Sequence, residues 1–216
     1  MYELDAAVTA PARLRAGLGF VFWGMLLVAL DFRVQDVDVL PDLVGWVLIA
    51  TGSARLMGQT SDGAYERRAG AAWVVSLGAA LLSVGDLAAA LPHPLGLVYV
   101  ILAVSHPILL AAAMLRLATL ADAEDERRSW NVSLSALVLS TVVAATIMAG
   151  FATGGSEMMP VWIVAILFSV AALLHYLVSL QRSRKALGAH DVGGRVLGAT
   201  PDDVSRGVTS APRPSA

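Results

Sequence analysis

Five aspartates and two histidines are the side chains of this chain whose types and positions suit chemistry. Four of the aspartates crowd one short stretch, at Asp31, Asp36, Asp38 and Asp42, and the fifth, Asp86, lies near the end of a later apolar run. His106 and His175 each lie within a long apolar run. Because ionisable groups are costly to place in lipid, those found inside apolar segments are functional candidates by default.

The four clustered aspartates suggest a cation site, since hard divalent ions bind several converging carboxylate oxygens. However, their spacing is not that of an EF-hand loop, and no glycine lies between them. The alternative interpretation is an acidic turn that ends one helix and begins another, because Asp38 or Asp42 beside Pro41 suits a helix start. We favour this alternative and assign no metal ligand.

Two imidazoles that faced each other could ligate a haem iron or relay protons. Pro107 follows His106 directly, removes a backbone hydrogen bond and is expected to kink its helix. The alternative is that each histidine is neutral and hydrogen-bonded to a neighbouring helix. We favour the alternative, because the chain offers only this one pair, and we therefore assign no cofactor and no catalytic residue.

Composition determines the class of protein that must position these residues. The chain is 57% hydrophobic and 15% charged, with a mean hydropathy of +0.70, whereas soluble domains average roughly 45–50% apolar and about 25% charged residues. This balance is typical of a polytopic helical membrane protein. The absence of cysteine excludes disulfides, a thiolate nucleophile and cysteine-ligated metals. Phosphate-binding loops, nucleophile elbows and His-Glu-x-x-His motifs are also missing from the sequence.

The apolar runs predict an all-α bundle of six transmembrane helices arranged as three hairpins. The predicted spans are 16–32, 41–57, 71–91, 95–120, 130–153 and 160–180, with polar connections at 58–70 and 122–128. Residues 1–187 would form this domain. Residues 188–216 are rich in Gly, Ser, Thr and Pro and predict a disordered cytoplasmic tail.

The distribution of cations predicts the orientation. Six spans leave both termini on one side, where fourteen of the fifteen Lys and Arg residues would lie, with Arg33 alone opposite. The positive-inside rule then predicts cytoplasmic termini in a cell membrane. Two sets of aromatic residues fall near span ends and predict interfacial belts: Trp46, Tyr99 and Trp162 outside, Trp73, Trp130 and Tyr176 inside. Arg55 and Arg116 are expected to snorkel to headgroups.

Glycines seven residues apart lie on one helix face and predict close helix packing. The pairs are Gly17 with Gly24, Gly45 with Gly52, and Gly78 with Gly85.

The stretch from Asp31 through Asp38 to Leu40-Pro41-Asp42 and Gly45-Trp46 resembles a pattern in small bacterial integral membrane proteins of unknown function. In that pattern an Asp ends one span and Leu-Pro-Asp-x-x-Gly-Trp opens the next. The resemblance covers about a fifth of the chain and implies a membrane location without an activity.

Small loops and few buried polar groups favour a non-enzymatic interaction, assembly or structural subunit of the membrane. Its partners would be the lipid bilayer and a membrane protein or a second copy of the chain. Nucleic acid is not expected, since the basic run at 181–185 is short and lies next to a span. The alternative hypothesis is a permease-like carrier of a small solute or cation, which would use the acidic face and His106.

Overall fold

The structure is a computed structural model that describes residues 3–30, 33–34, 37–38, 42–87, 93–152 and 159–189. Side-chain environments are described for residues 12–30, 42–84, 95–146 and 163–186. The described residues form six helices and one small antiparallel hairpin. In order these are α1 (Glu3–Leu30), β1 (Arg33–Val34), β2 (Val37–Asp38), α2 (Asp42–Leu56), α3 (Gly63–Leu87), α4 (His93–Leu120), α5 (Glu124–Ala152) and α6 (Met159–Ala189).

Three predicted connections differ from the structure. The polar connection 58–70 is much shorter, because α3 begins at Gly63. The charged connection 122–128 largely belongs to α5, which begins at Glu124 with three carboxylates in its first turn, where the helix dipole favours them. The acidic stretch contains a two-residue ladder that pairs Arg33 with Asp38 and Val34 with Val37, where a simple turn was expected. The predicted tail lies outside the described residues from position 190 onward.

The α2–α3 turn is closed by local hydrogen bonds. Gly58 follows α2 with a φ of 72°, a left-handed conformation that glycine adopts without strain and that commonly ends helices. Its N–H donates to both carboxylate oxygens of Glu66 at 3.0 Å. The Tyr65 hydroxyl donates to the Leu56 carbonyl at 2.7 Å, and the Tyr65 N–H donates to Oδ1 of Asp62 at 2.7 Å, which makes Asp62 the N-cap of α3.

Helices that follow each other in the chain pack against each other, and α6 closes the arrangement against α1. The buried core runs along the inside of this ring and includes Leu18, Ile49, Met114, Trp130 and Leu180. Helix α4 continues through Pro107 without interruption. The ring order therefore places α2 and α4 on either side of α3, close enough for long side chains to meet.

Helices α1 and α2 approach each other closely, and glycine permits this approach. A Cβ atom added to Gly24 would lie 2.5 Å from the carbonyl oxygen of Gly45, and one added to Gly52 would lie 2.6 Å from that of Gly17. Real Cβ atoms do not approach backbone atoms so closely. The prediction that these seven-residue glycine pairs mediate close packing is confirmed for both helices.

Four of the described helices are long and apolar enough to cross a membrane, over residues 12–30, 95–120, 124–146 and 163–186. Large apolar side chains cover their outward faces and that of α3, with Leu81 75% and Val164 65% exposed. Water disfavours so much exposed apolar surface, whereas lipid does not. The chain is a helical membrane protein. Helix α2 has 15 residues, about 22 Å at 1.5 Å per residue, and is shorter than a roughly 30 Å hydrocarbon core.

Candidate functional site

The acidic stretch is only partly described. Asp31 and Asp36 lie outside the described residues, Asp38 lies in β2 and Asp86 in α3, and of these candidates only Asp42 has a described side chain. Its Oδ2 accepts a 2.6 Å hydrogen bond from the Tyr99 hydroxyl. Within the described residues, no group of three or more His, Cys, Asp or Glu side chains is placed to hold a metal ion. The four-aspartate cation site is therefore untested.

Side chains of α2 and α4 meet in a regular register. Trp46 donates its indole N–H to the Tyr99 hydroxyl at 2.9 Å, and Ser53 Oγ lies 3.1 Å from Nε2 of His106. Both pairs are 53 residues apart, and the second lies two helical turns after the first on each helix. Helices α2 and α4 are therefore parallel, and one face of each supplies a row of polar contacts that begins at Asp42.

His106 is fully buried in this row. Its ring meets Trp46 edge-on, with the ring centroids 6.1 Å apart and the ring planes at 85°. Among the described residues its Nδ1 has no hydrogen-bond partner. If Ser53 donates to Nε2, Nδ1 carries an unpaired N–H; if Nε2 donates to Ser53, Nδ1 keeps an unpaired lone pair. In either tautomer, His106 has one nitrogen bonded to a neighbouring helix and one without a partner.

His175 belongs to a cluster on the other side of the ring, between α5 and α6. Its Nδ1 lies 2.9 Å from Ser133 Oγ, which in turn lies 2.9 Å from Ser179 Oγ. Ser129 Oγ also lies 2.8 Å from Ser179 Oγ, and Trp130 donates to Ser183 Oγ at 2.8 Å. We call these residues the serine cluster. Short hydroxyl side chains let two helices approach closely and satisfy their polar atoms by pairing across the interface.

The structure does not bring the two histidines together. His106 is bonded to Ser53 in the α2–α4 contact, and His175 is bonded to Ser133 in the α5–α6 contact. The paired arrangement that a haem iron or a proton relay would need is therefore not formed by these contacts. Each histidine instead has a serine partner on a neighbouring helix, as the favoured interpretation predicts.

Three of the aromatic side chains that we predicted to lie in interfacial belts are buried instead. Trp46, Trp130 and Tyr176 are at most 1% exposed and lie inside the ring, not in interfacial belts. Buried aromatic side chains can bring polar atoms to partners across a helix interface, as both indole N–H groups do here. The guanidinium of Arg55 lies 4.2 Å above the centroid of the Phe20 ring, and its snorkelling to headgroups stays a prediction.

Arg116 contacts the α2–α3 turn, whereas we expected it to snorkel. Its Nη2 donates to Oδ2 of Asp62 at 2.8 Å, and its Nε donates to Oδ1 at 3.3 Å. The guanidinium, together with the Tyr65 N–H, lowers the pKa of the Asp62 carboxyl from 3.8 to about 2. The sequence carries no local signal for this pair, because its members lie 54 positions apart on separate elements.

Comparison of the chain with protein-family models, curated proteins and solved structures found no match.

Proposed function

We propose that this chain is a six-span protein of the cell membrane, with both termini in the cytoplasm, that acts as a non-enzymatic interaction or assembly subunit. The observation that carries the proposal is that polar side chains between the helices bond to one another. Both histidines and two buried tryptophans bond to residues of neighbouring helices in two separate contacts, and these bonds hold the helices together. An enzyme or a carrier would instead direct such groups into one shared cavity.

The exposed surface of α5 supports an interaction role. Only 17% of its candidate span is buried, compared with 33–39% of the other three. Asn131 and Ser135 lie exposed one helical turn apart on this helix. Polar side chains that face lipid are unfavourable and commonly hydrogen-bond across helix–helix interfaces. We infer that α5 packs against a transmembrane helix of a partner protein.

Cysteine cross-linking tests this proposal directly, because the chain contains no cysteine. Ser135→Cys should form a disulfide or maleimide cross-link to one specific membrane protein in native membranes. The matched control is Leu81→Cys, on the most exposed apolar position of α3, which should remain uncross-linked. Equal, unspecific cross-linking of both variants, or none for Ser135→Cys, would contradict the interaction surface.

The carrier hypothesis keeps one supporting observation, the partnerless Nδ1 of the fully buried His106. A carrier that used this nitrogen would move a solute or proton across vesicles containing the purified chain, and His106→Gln would stop that flux. We expect no such flux. A pH-dependent flux between about 5 and 8, abolished by His106→Gln in a correctly folded protein, would replace the subunit proposal.

A further inference from the structure

An open surface pocket of about 750 Å³ lies between the first turns of α5 and the last turns of α6. This basic pocket is lined by Asp125, Glu126, Arg128, Ser129, Val132, His175, Arg182, Lys185 and Ala186. Its volume lies within the range of roughly 300–1,000 Å³ that is typical of small-molecule sites. It lies outside the α2–α4 contact and beside the serine cluster, whose Ser129 and His175 form part of its wall.

The charges of the basic pocket favour an anion. Three cations and two carboxylates line it, which leaves one net positive charge. Arg182 and Lys185 have no ion pair among the described residues, and Arg128 has only a 3.9 Å contact with Glu124. A phosphodiester carries a single negative charge and accepts hydrogen bonds from both guanidinium and ammonium groups.

The length of the basic pocket along α6 favours a lipid over a soluble ion. It extends along α6 from His175 to Lys185, about 15 Å at 1.5 Å per residue, whereas one headgroup layer is roughly 5–7 Å thick. Leu174 and Val178 precede Arg182 at four-residue intervals and are 57% and 48% exposed. One face of α6 therefore passes from exposed apolar side chains directly to the cations, and Val132 of α5 extends its apolar part.

We propose that the basic pocket binds the headgroup of a phospholipid with one net negative charge. The phosphate contacts Arg128, Arg182 and Lys185, and the acyl chains lie along Leu174 and Val178. Ser133 holds Nδ1 of His175, so Nε2 is the ring nitrogen that remains for the glycerol region of the lipid. This assignment holds whichever side of the membrane the pocket faces, and it does not depend on the proposed interaction through α5.

Native mass spectrometry of the full chain in detergent, titrated with phosphatidylglycerol or phosphatidylcholine, tests the proposal. Wild type should bind phosphatidylglycerol at least fivefold more tightly, since a cation near the membrane surface contributes roughly a fivefold preference for anionic lipid. Arg182→Gln with Lys185→Gln should lower the affinity for phosphatidylglycerol by about 25-fold. It should leave phosphatidylcholine binding nearly unchanged.

Two further variants exclude general effects of charge or folding. Arg67→Gln with Arg68→Gln removes two exposed cations outside the basic pocket and should leave both affinities unchanged. Asp125→Asn with Glu126→Gln removes the lining carboxylates and should raise the affinity for phosphatidylglycerol. Equal binding of the two lipids by wild type, or an unchanged affinity after the Arg182 and Lys185 substitutions, would overturn the proposal. Displacement of the lipid by excess inorganic phosphate would assign the pocket to a soluble anion instead.

Discussion

At the scale of single residues, polar side chains in this protein fix the register between helices. Ser53 with His106 and Trp46 with Tyr99 set α2 against α4, and Ser133 sets α5 against α6. Each hydrogen bond contributes little to stability, since hydrogen bonds between transmembrane helices contribute about 0.6 kcal/mol on average. Their placement in the low-dielectric interior makes a mismatched register costly, because it would leave polar groups without partners.

The contact between His106 and Ser53 should be structural. Ser53→Ala should lower the free energy of unfolding by about 0.6–1.7 kcal/mol. His106→Ala should lower it by about 2 kcal/mol or more, since it also removes a fully buried ring. Unfolding of the single and double variants in mixed micelles gives the coupling between the two side chains. A coupling of zero would show that the 3.1 Å contact contributes nothing to stability.

The ion pair between Asp62 and Arg116 should make stability depend on pH. The folded pKa of Asp62 is lowered from 3.8 to about 2, so its contribution is present above pH 4 and is lost as the pH falls to about 2. Asp62→Asn keeps an N-cap side chain but loses the charge. Its Tm should lie below that of wild type at pH 7, and the difference should shrink between pH 4 and pH 2.

Asp62→Ala is the control for this pH effect. It removes the N-cap as well as the charge, so part of its loss in Tm should remain at pH 2. A difference between wild type and Asp62→Asn that stays constant down to pH 2 would show that the ion pair does not contribute.

At the scale of helices, the close packing of α1 against α2 could be predicted from the sequence. Contacts between helices that are not consecutive in the chain could not. Gly17, Gly24, Gly45 and Gly52 are recognisable because their seven-residue spacing belongs to the period of a single helix. The partners of His106 depend on the 53-residue register between α2 and α4, which no local pattern encodes. Trp46 and Arg116 were expected at headgroups for the same reason. The apolar runs indicate how far each residue lies from the end of a span, but they do not indicate the direction in which its side chain points.

The glycine contact between α1 and α2 should not tolerate even one methyl group. Gly24→Ala would place a Cβ 2.5 Å from the Gly45 carbonyl and 2.9 Å from the Ile49 nitrogen, both backbone atoms. The helices would have to separate, at a cost of about 1–3 kcal/mol. The measurement is unfolding in mixed micelles.

Gly19→Ala is the matched control on the same helix. Its Cβ would lie an ordinary 3.5 Å from the Arg184 side chain. It should be neutral or stabilise α1 by roughly 0.5–1 kcal/mol, since alanine favours helices more than glycine does. Equal effects of Gly19→Ala and Gly24→Ala would contradict the close approach of α1 and α2.

At the scale of the whole molecule, the segregation of charge predicts the orientation. In the six-span proposal, the α2–α3 turn lies on the side that carries fourteen of the fifteen cations, and so does the end of α6. The short α2 reaches across only if the bilayer thins or the helix relies on α1, against which its glycines pack. Close packing against the longer α1 can hold α2 within the bilayer. The backbone hydrogen bonds of α2 are satisfied within the helix, and the face of α2 that packs on α1 does not contact lipid.

Single cysteines test this orientation in a chain that has none of its own. Ser61→Cys lies in the α2–α3 turn and is exposed, so a maleimide that cannot cross membranes should label it only after the cells are permeabilised. Ser156→Cys, in the connection between α5 and α6, should be labelled in intact cells. Six spans require these opposite results, because the two connections would lie on opposite faces of the membrane. Labelling of both residues in intact cells, or of neither, would show that fewer than six helices cross the membrane. Helices α2 and α3 would then be the first candidates for helices that do not cross.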